Sequence, residues 1–116
     1  MGGNAISYQV DVSDPKNIKE SADFAREHFG DVTILINNAG IVSGKNILEN
    51  SNEMVKKTFE VNTLSIFYTT KEFLPNMIEK SKGHIVTISS ASGFIGTPGL
   101  SDYSASKFAA IGFDER

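Results

Sequence analysis

The stretch VTILINNAG, residues 32–40, changes abruptly from apolar to polar character. Its first five residues are mainly apolar and β-branched, as expected of a strand that is covered on both faces. The next four, Asn-Asn-Ala-Gly, are mainly residues typical of turns. The pattern predicts a buried strand at residues 32–36 that ends in a polar turn. Continuously apolar strands of this kind are typical of parallel sheets.

The sequence before this strand predicts another strand and then a helix. Residues 5–10 (AISYQV) are rich in residues that favour strands. The helix is expected to begin near Pro15, because Ser13 and Asp14 are N-cap candidates and proline is favoured in the first turn. Gly30 is expected to end it. Spacings of four, three and four residues place its apolar side chains on one face: Ile18, Ala22, Ala25 and Phe29.

The sequence after this strand predicts two more helices and one more strand. A long helix is expected to begin at Ser51 and to continue towards Phe73, with Pro75 kinking or interrupting it. The remaining segments are predicted as a strand at residues 84–88 (HIVTI), a Gly/Ser-rich loop at residues 89–99 and a helix at residues 101–113. The order β-α-β-α-β-α predicts an α/β fold, a partial doubly wound parallel sheet. Ligands of such sheets bind beyond the carboxyl ends of the strands.

The overall composition narrows the class of protein. The chain has 116 residues, a formal net charge of −3 and no cysteine. This length fits one small domain, the charge gives no basic patch for nucleic acid, and the lack of thiols rules out disulfides. No apolar run reaches the roughly 18 residues that a membrane span requires. His28 and His84 have no suitably spaced acidic or histidine partners, so we expect no metal site.

Tyr103 and Lys107 are four positions apart in the last predicted helix, which places them on the same face. A free tyrosine has a pKa near ~10, but a neighbouring cation favours its phenolate and makes a phenol usable in acid–base catalysis. Ser90, in the loop at the end of the preceding strand, is the best placed candidate to orient a reacting oxygen. Ser89 is adjacent, but neighbouring side chains of an extended segment point to opposite sides, so we expect only one of the two to face the site. Taken alone, the Tyr/Lys pair could equally be an ordinary pair on a helix surface.

The combined motifs resemble the short-chain dehydrogenase/reductase family. The matching residues are, in chain order, Asn37-Asn38-Ala39-Gly40, Asn62, Ser90, Tyr103 and Lys107. The resemblance covers essentially the whole chain and implies a Rossmann-like domain that uses NAD or NADP. It implies that Tyr103 is the general acid/base, that Lys107 assists it and holds the nicotinamide ribose, and that Ser90 orients the reacting oxygen. Asn62 matches an asparagine that holds a water in a proton relay; alternatively, it is a polar residue that bends the helix.

The resemblance also implies a set of cofactor contacts. They are Asp11 and Val12 at the adenine, and Asn37, Ala39 and Gly40 on the adenosine side, with Tyr103 and Lys107 at the nicotinamide ribose. Two structural alternatives remain open. Asp11 could simply be a residue at the start of the first helix. An amide of Asn37 or Asn38 could tie neighbouring strand ends together, alongside any role in binding.

Three stretches, ILINNAGIVSGK, HIVTISSASG and YSASKFAAIGF, most resemble the branch that contains retinol dehydrogenases and lipid-droplet 17β-hydroxysteroid dehydrogenases. This implies a lipophilic alcohol or carbonyl substrate such as a retinoid or steroid. It also implies homo-oligomers formed through the two long helices. The expected location is intracellular: the cytoplasm, or the endoplasmic reticulum or lipid droplet if an N-terminal anchor precedes the segment.

The chain departs from the family pattern at both ends. The family's Gly-rich turn for pyrophosphate is absent, since Met1-Gly2-Gly3-Asn4 precedes a predicted strand instead of following one. At the other end, the sequence lacks the C-terminal strands and the substrate-covering segment that the resemblance leads us to expect after the Tyr/Lys helix. We therefore interpret residues 1–116 as the central part of one such domain, an internal piece that is marginally stable and inactive alone. The alternative is a truncated, non-catalytic variant that pairs with a full-length subunit. A flavodoxin-like binding module also fits the element order but leaves Ser90, Tyr103 and Lys107 unexplained.

Overall fold

The computed structural model describes residues 2–115. The first helix, α1, spans Pro15–Phe29, with Asp14 as its N-cap and Gly30 as its C-cap. The Asp14 carboxylate accepts a hydrogen bond from the Lys16 backbone N–H, and Gly30 adopts a φ of 76° that favours glycine. Both ends of this helix are therefore confirmed as predicted.

The sheet consists of two parallel strands, β1 (Ile34–Asn37) and β2 (His84–Thr87). Ile34 pairs with His84 and Asn37 pairs with Thr87 in this register. Both strands were predicted, within two residues of their observed bounds. Because the strands are parallel, the residues that follow Asn37 and Thr87 meet at one edge of the sheet, where ligands of such folds bind.

The strand predicted at residues 5–10 is not found. This segment has no regular secondary structure, and the described sheet contains only β1 and β2. Tyr8 instead stacks on Phe24 of α1, with ring centroids 4.7 Å apart. A strand exists only through hydrogen bonds to a neighbour, and no strand of the described residues pairs with this segment.

The long predicted helix is divided by an irregular turn. α2 spans Asn52–Phe59, a π-helical turn spans Glu60–Leu64, and α3 spans Ser65–Glu79. The predicted interruption at Pro75 was wrong, because α3 continues through it. Pro75 and Lys71 are both exposed, so water can bond the Lys71 carbonyl that the proline leaves without an intrahelical donor.

The last part of the chain forms a short 3-10 turn, Ala91–Gly93, and helix α4, Ser101–Asp114. α4 packs against β2 and the π-helical turn, while α3 packs against both strands and α1. Ile66, Ala110 and Phe113 form a small apolar core between α3 and α4. The result is a partial Rossmann-like arrangement in which α4 and the π-helical turn flank the carboxyl edge of the sheet.

The described residues contain neither a membrane-spanning helix nor a cluster of metal ligands. None of the helices in residues 2–115 combines the length and apolar character needed to cross a lipid bilayer. Within the same residues, no three histidine, cysteine or acidic side chains cluster closely enough to hold a metal ion.

Candidate active site

Helix α4 brings Tyr103 and Lys107 together beside the carboxyl end of β2. The Lys107 Nζ lies 5.8 Å from the centroid of the Tyr103 ring. The same ammonium donates a 2.9 Å hydrogen bond to the Ile88 carbonyl, and Lys107 is only 5% exposed. A buried ammonium needs such partners, because desolvation without them is costly. Lys107 is therefore held in a fixed, buried position beside a half-buried Tyr103, so the two are not an ordinary exposed pair on a helix surface.

A recess of about 270 Å³ opens at this pair, and we call it the Tyr103 recess. Its lining residues come from the segments that follow β1 and β2 and from α4: Asn38, Gly40, Ile41, Val42, Ile88, Ser89, Tyr103 and Lys107. The predicted convergence at the carboxyl edge of the sheet is therefore present, with a phenol and an ammonium on one side.

The two adjacent serines occupy different positions. Ser89 lines the Tyr103 recess and donates a 3.2 Å hydrogen bond to the Lys107 carbonyl. Ser90 precedes the 3-10 turn, where its Oγ accepts a 3.2 Å hydrogen bond from the Ser92 N–H. Among the described residues, Ser89 lines the Tyr103 recess and Ser90, the next residue in the sequence, does not. The role predicted for Ser90 stays a prediction.

Asn62 lies in the middle of the π-helical turn and is 1% exposed. Its Oδ1 accepts a 2.8 Å hydrogen bond from the Ile41 N–H, and its Nδ2 donates to the Ile41 carbonyl at 2.9 Å and to Ser106 Oγ at 3.0 Å. A Cβ on Gly40 would lie 3.4 Å from Asn62 Oδ1 and 3.5 Å from Lys107 Nζ. Gly40 thus lies close to both side chains.

A second, smaller recess of about 80 Å³ lies on the other side of β1. Three of the residues predicted to contact the cofactor line it: Val12, Asn37 and Ala39. The Asn37 Oδ1 accepts a 2.7 Å hydrogen bond from Thr69 Oγ1, but its buried Nδ2 finds no partner among residues 2–115. The backbone carbonyl of Asn37 accepts a 2.9 Å bond from the Ile88 N–H, so it is the main chain that ties the strand ends together.

Asp11 lies before α1 and does not line either recess. Its carboxylate accepts hydrogen bonds from the Ser13 hydroxyl at 2.6 Å and the Ser13 N–H at 2.9 Å. Lys57 forms an ion pair with it at 3.5 Å. These contacts, the Ser13 hydroxyl foremost, hold the pKa of Asp11 below its ordinary value, although the group is exposed. Asp11 is therefore a fixed carboxylate beside Val12.

The sequence reasoning missed Asp102, which is directly before Tyr103 and only 4% exposed. Its Oδ1 accepts a 3.0 Å hydrogen bond from Ser43 Oγ, and its Oδ2 lies 2.9 Å from Thr58 Oγ1. Burial raises the pKa of Asp102, but hydrogen bonds from Thr58, Ser43 and the Tyr103 backbone outweigh burial and leave the pKa below its ordinary value. The only sequence signal was an acidic residue in the first turn of a helix, where the dipole favours negative charge.

Comparison with known proteins agrees with this geometry. The family model for short chain dehydrogenase matches residues 1–116. Retinol dehydrogenase 10-B of Danio rerio is 47% identical over 109 residues, which is 94% of this chain and 32% of that protein. Estradiol 17-beta-dehydrogenase 11 of Macaca fascicularis is 43% identical over 113 residues, which is 97% of this chain and 38% of that protein.

A solved structure gives the same result for the fold. The crystal structure of a short-chain dehydrogenase from Streptomyces avermitilis superimposes with a TM-score of 0.88 at 31% identity, covering 93% of this chain and 40% of that one. The chain spans about a third of the length of the curated relatives, 32% in one case and 38% in another.

Proposed function

Because the chain belongs to the short-chain dehydrogenase family, we propose that residues 1–116 are the central part of one Rossmann-like domain in an NAD(P)-dependent oxidoreductase. The enzyme interconverts a primary or secondary alcohol and the corresponding carbonyl compound. One observation carries this proposal. The buried Lys107 ammonium lies 5.8 Å from the Tyr103 ring at a recess formed by segments that follow both strands.

The proposed chemistry needs a group that accepts a proton from an alcohol oxygen while a hydride leaves the adjacent carbon. Tyr103 supplies that group, since a phenol hydroxyl can donate or accept a proton and Tyr103 lines the recess beside the Lys107 ammonium. Lys107 assists Tyr103 and holds the nicotinamide ribose, and Ser90 orients the reacting oxygen. Asn62 holds the main chain of Ile41, and both Asn62 and Lys107 lie close to Gly40. This position suits a role for Asn62 in a proton relay.

The residues present fit part of a nicotinamide dinucleotide. Asn37 lines the smaller recess together with Val12 and Ala39, and its buried Nδ2 is a donor without a partner among residues 2–115. Asp11 precedes Val12 and offers a carboxylate. Gly40 lines the Tyr103 recess beside Lys107, since a Cβ built on it would be in ordinary van der Waals contact with Lys107 Nζ at 3.5 Å. When bound, NAD or NADP supplies the chemistry of hydride acceptance or donation.

The proposed substrate is lipophilic, with a retinoid or steroid as the leading candidates. The names of relatives at 47% and 43% identity refer to retinol and to estradiol. Apolar side chains are also exposed near the proposed chemistry: Val42, in the wall of the Tyr103 recess, is 56% exposed, and Phe94 and Ile95, after Ser90, are 69% and 74% exposed. We place the activity inside the cell, in the cytoplasm or at the endoplasmic reticulum or lipid droplet.

The second candidate function is that of a non-catalytic variant that associates with a full-length subunit. The observation in its favour is an apolar groove of about 540 Å³ on α3 and α4, lined in part by Phe67, Leu74 and Ala109. The same groove suits homo-oligomers of a complete enzyme through these helices. Leu74→Asp in the complete native protein is expected to reduce the mass measured by light scattering to that of a monomer. An unchanged mass would exclude this surface.

Turnover by the complete native protein that carries these residues tests the catalytic proposal. The purified protein is incubated with NAD or NADP and, in turn, retinol, estradiol and short-chain alcohols, while the absorbance of the reduced nicotinamide is followed. We expect reduction of one cofactor with a lipophilic alcohol, at a rate proportional to enzyme concentration. No reduction with any alcohol, and no oxidation of reduced cofactor with the matching carbonyls, would contradict the proposal and favour the non-catalytic variant.

A further inference from the structure

The buried carboxylate of Asp102 is not used in the chemistry proposed above. It lies in the first turn of α4, directly before Tyr103, and is 4% exposed. A carboxylate is costly to bury unless hydrogen bonds compensate, and here hydroxyl groups from two other segments reach it. Ser43 bonds one of its oxygens at 3.0 Å, and Thr58 of α2 bonds the other at 2.9 Å. Asp102 therefore joins three separate parts of the chain.

Ser43 ends the segment of residues 41–43, which forms one wall of the Tyr103 recess. Ile41 and Val42 line the recess, and the segment has no regular secondary structure. Side chains of other elements hold it at both ends. Asn62 bonds both the N–H and the carbonyl of Ile41, and Asp102 bonds the hydroxyl of Ser43. Val42 lies between these two attachments and has no such bond of its own in the described structure.

The hydrogen bonds around Ser43 have a defined direction. Asn50 Nδ2 donates to Ser43 Oγ at 3.1 Å, so the hydroxyl proton of Ser43 is free to point to the carboxylate. A bond to an ionised acceptor is stronger than one between neutral groups. The attachment of the wall to α4 is therefore strongest when Asp102 carries its charge.

We propose that Asp102 is a positioning residue that acts through Ser43. It fixes Ile41 and Val42 opposite Tyr103 and so sets where the carbon of a bound alcohol lies relative to the phenol. Val42 is 56% exposed at this wall and is the side chain available to touch the apolar part of a substrate. The inference rests on the oxidoreductase function proposed above and adds a determinant of substrate position to it.

The test compares the two donors to the same carboxylate in the complete native protein. Ser43→Ala releases the wall, whereas Thr58→Val removes a hydroxyl that lies 2.9 Å from both Asp102 Oδ2 and the Met54 carbonyl and leaves the wall attached. We expect Ser43→Ala to lower kcat/KM for the preferred alcohol by about tenfold, since small misplacements of reacting groups are costly. The KM for the nicotinamide cofactor is expected to stay the same. Ser43→Thr keeps the hydroxyl and is expected to restore most of the activity.

Thr58→Val controls for a purely structural role. All rates are measured at a temperature at which circular dichroism shows each variant to be folded. We expect Thr58→Val to lower the thermal midpoint while kcat/KM stays within about twofold of wild type. Equal losses of kcat/KM in Ser43→Ala and Thr58→Val, or no loss in either, would overturn the positioning role. The proposed oxidoreductase function would still stand in that case, provided that the wild-type protein shows turnover. A wild-type protein without turnover would overturn both.

Discussion

Gly93 offers a quantitative test of how α4 packs against the loop that follows β2. A Cβ at this position would lie 2.6 Å from Ile111 Cδ1, 2.9 Å from the Lys107 carbonyl oxygen and 2.9 Å from Ser89 Oγ. The Ile111 methyl is the end of a flexible side chain and can move. The Lys107 carbonyl belongs to the backbone of α4, so Gly93→Ala must shift either the helix or the loop.

The expected cost follows from two opposing effects. Overpacking of this kind costs about 1–3 kcal/mol. Replacing glycine by alanine also restricts the unfolded chain, which stabilises the protein by roughly 0.4–1 kcal/mol. The difference between the two ranges is about 0–2.6 kcal/mol, so we expect Gly93→Ala to lower the free energy of unfolding, by about 1.3 kcal/mol at the midpoint. We also expect lower turnover, because Lys107 and Ser89 both adjoin Tyr103 in the recess.

Gly96→Ala is the matched control in the same loop. No atom lies within 4 Å of a Cβ built at Gly96, and its φ is outside the left-handed region. The effect on the unfolded chain is the same in both variants, so the difference between their free energies of unfolding isolates the steric cost. Urea denaturation of the complete native protein measures that difference. Equal stabilities of the two variants would refute the packing described here.

Three further predictions concern single side chains. Asp14→Ala removes the cap of α1, where the carboxylate bonds the Lys16 N–H at 2.9 Å, and is expected to cost about 1 kcal/mol in urea denaturation; a change below about 0.3 kcal/mol would contradict the capping role. Asn62→Ala leaves the buried N–H and carbonyl of Ile41 unbonded and is expected to cost about 1–3 kcal/mol by the same measurement, together with most of the turnover; wild-type stability would contradict it. Because the folded-state pKa of Asp102 lies below its ordinary value of 3.8, its contribution to stability is present above that pH and is lost as the pH falls through the folded-state pKa. The stability advantage of wild type over Asp102→Asn is therefore expected to be constant from pH ~5 to ~7 and to shrink below pH ~3.8, whereas an advantage that grows with acidification would contradict the assignment.

The sequence predicts those features that depend on local signals. Both ends of α1 were found from residues at the ends themselves, Asp14 and Gly30. The strands β1 and β2 were found from short apolar runs bounded by turn residues. The same reasoning predicted a strand at residues 5–10, but a strand also needs a neighbour, and none pairs with it in the described structure.

The features that were missed depend on contacts between distant parts of the chain. The π-helical turn at Glu60–Leu64 places Asn62 against the main chain of Ile41, and no helical period in the sequence reveals such a turn. Asp102 is buried through Thr58 and Ser43, which are 44 and 59 positions away. Alternation along an extended segment predicts only that one of Ser89 and Ser90 faces the site, and in the described structure it is Ser89 that lines the Tyr103 recess.

The rate of hydride transfer in Tyr103→Phe tests the central claim most directly. In the complete native protein, single-turnover measurement separates this step from binding, and Tyr8→Phe is the control because it keeps the ring that stacks on Phe24. The account predicts that Tyr103→Phe slows hydride transfer by at least about a hundredfold while the dissociation constant of the cofactor changes less than about threefold. Hydride transfer at the wild-type rate in Tyr103→Phe would contradict the account.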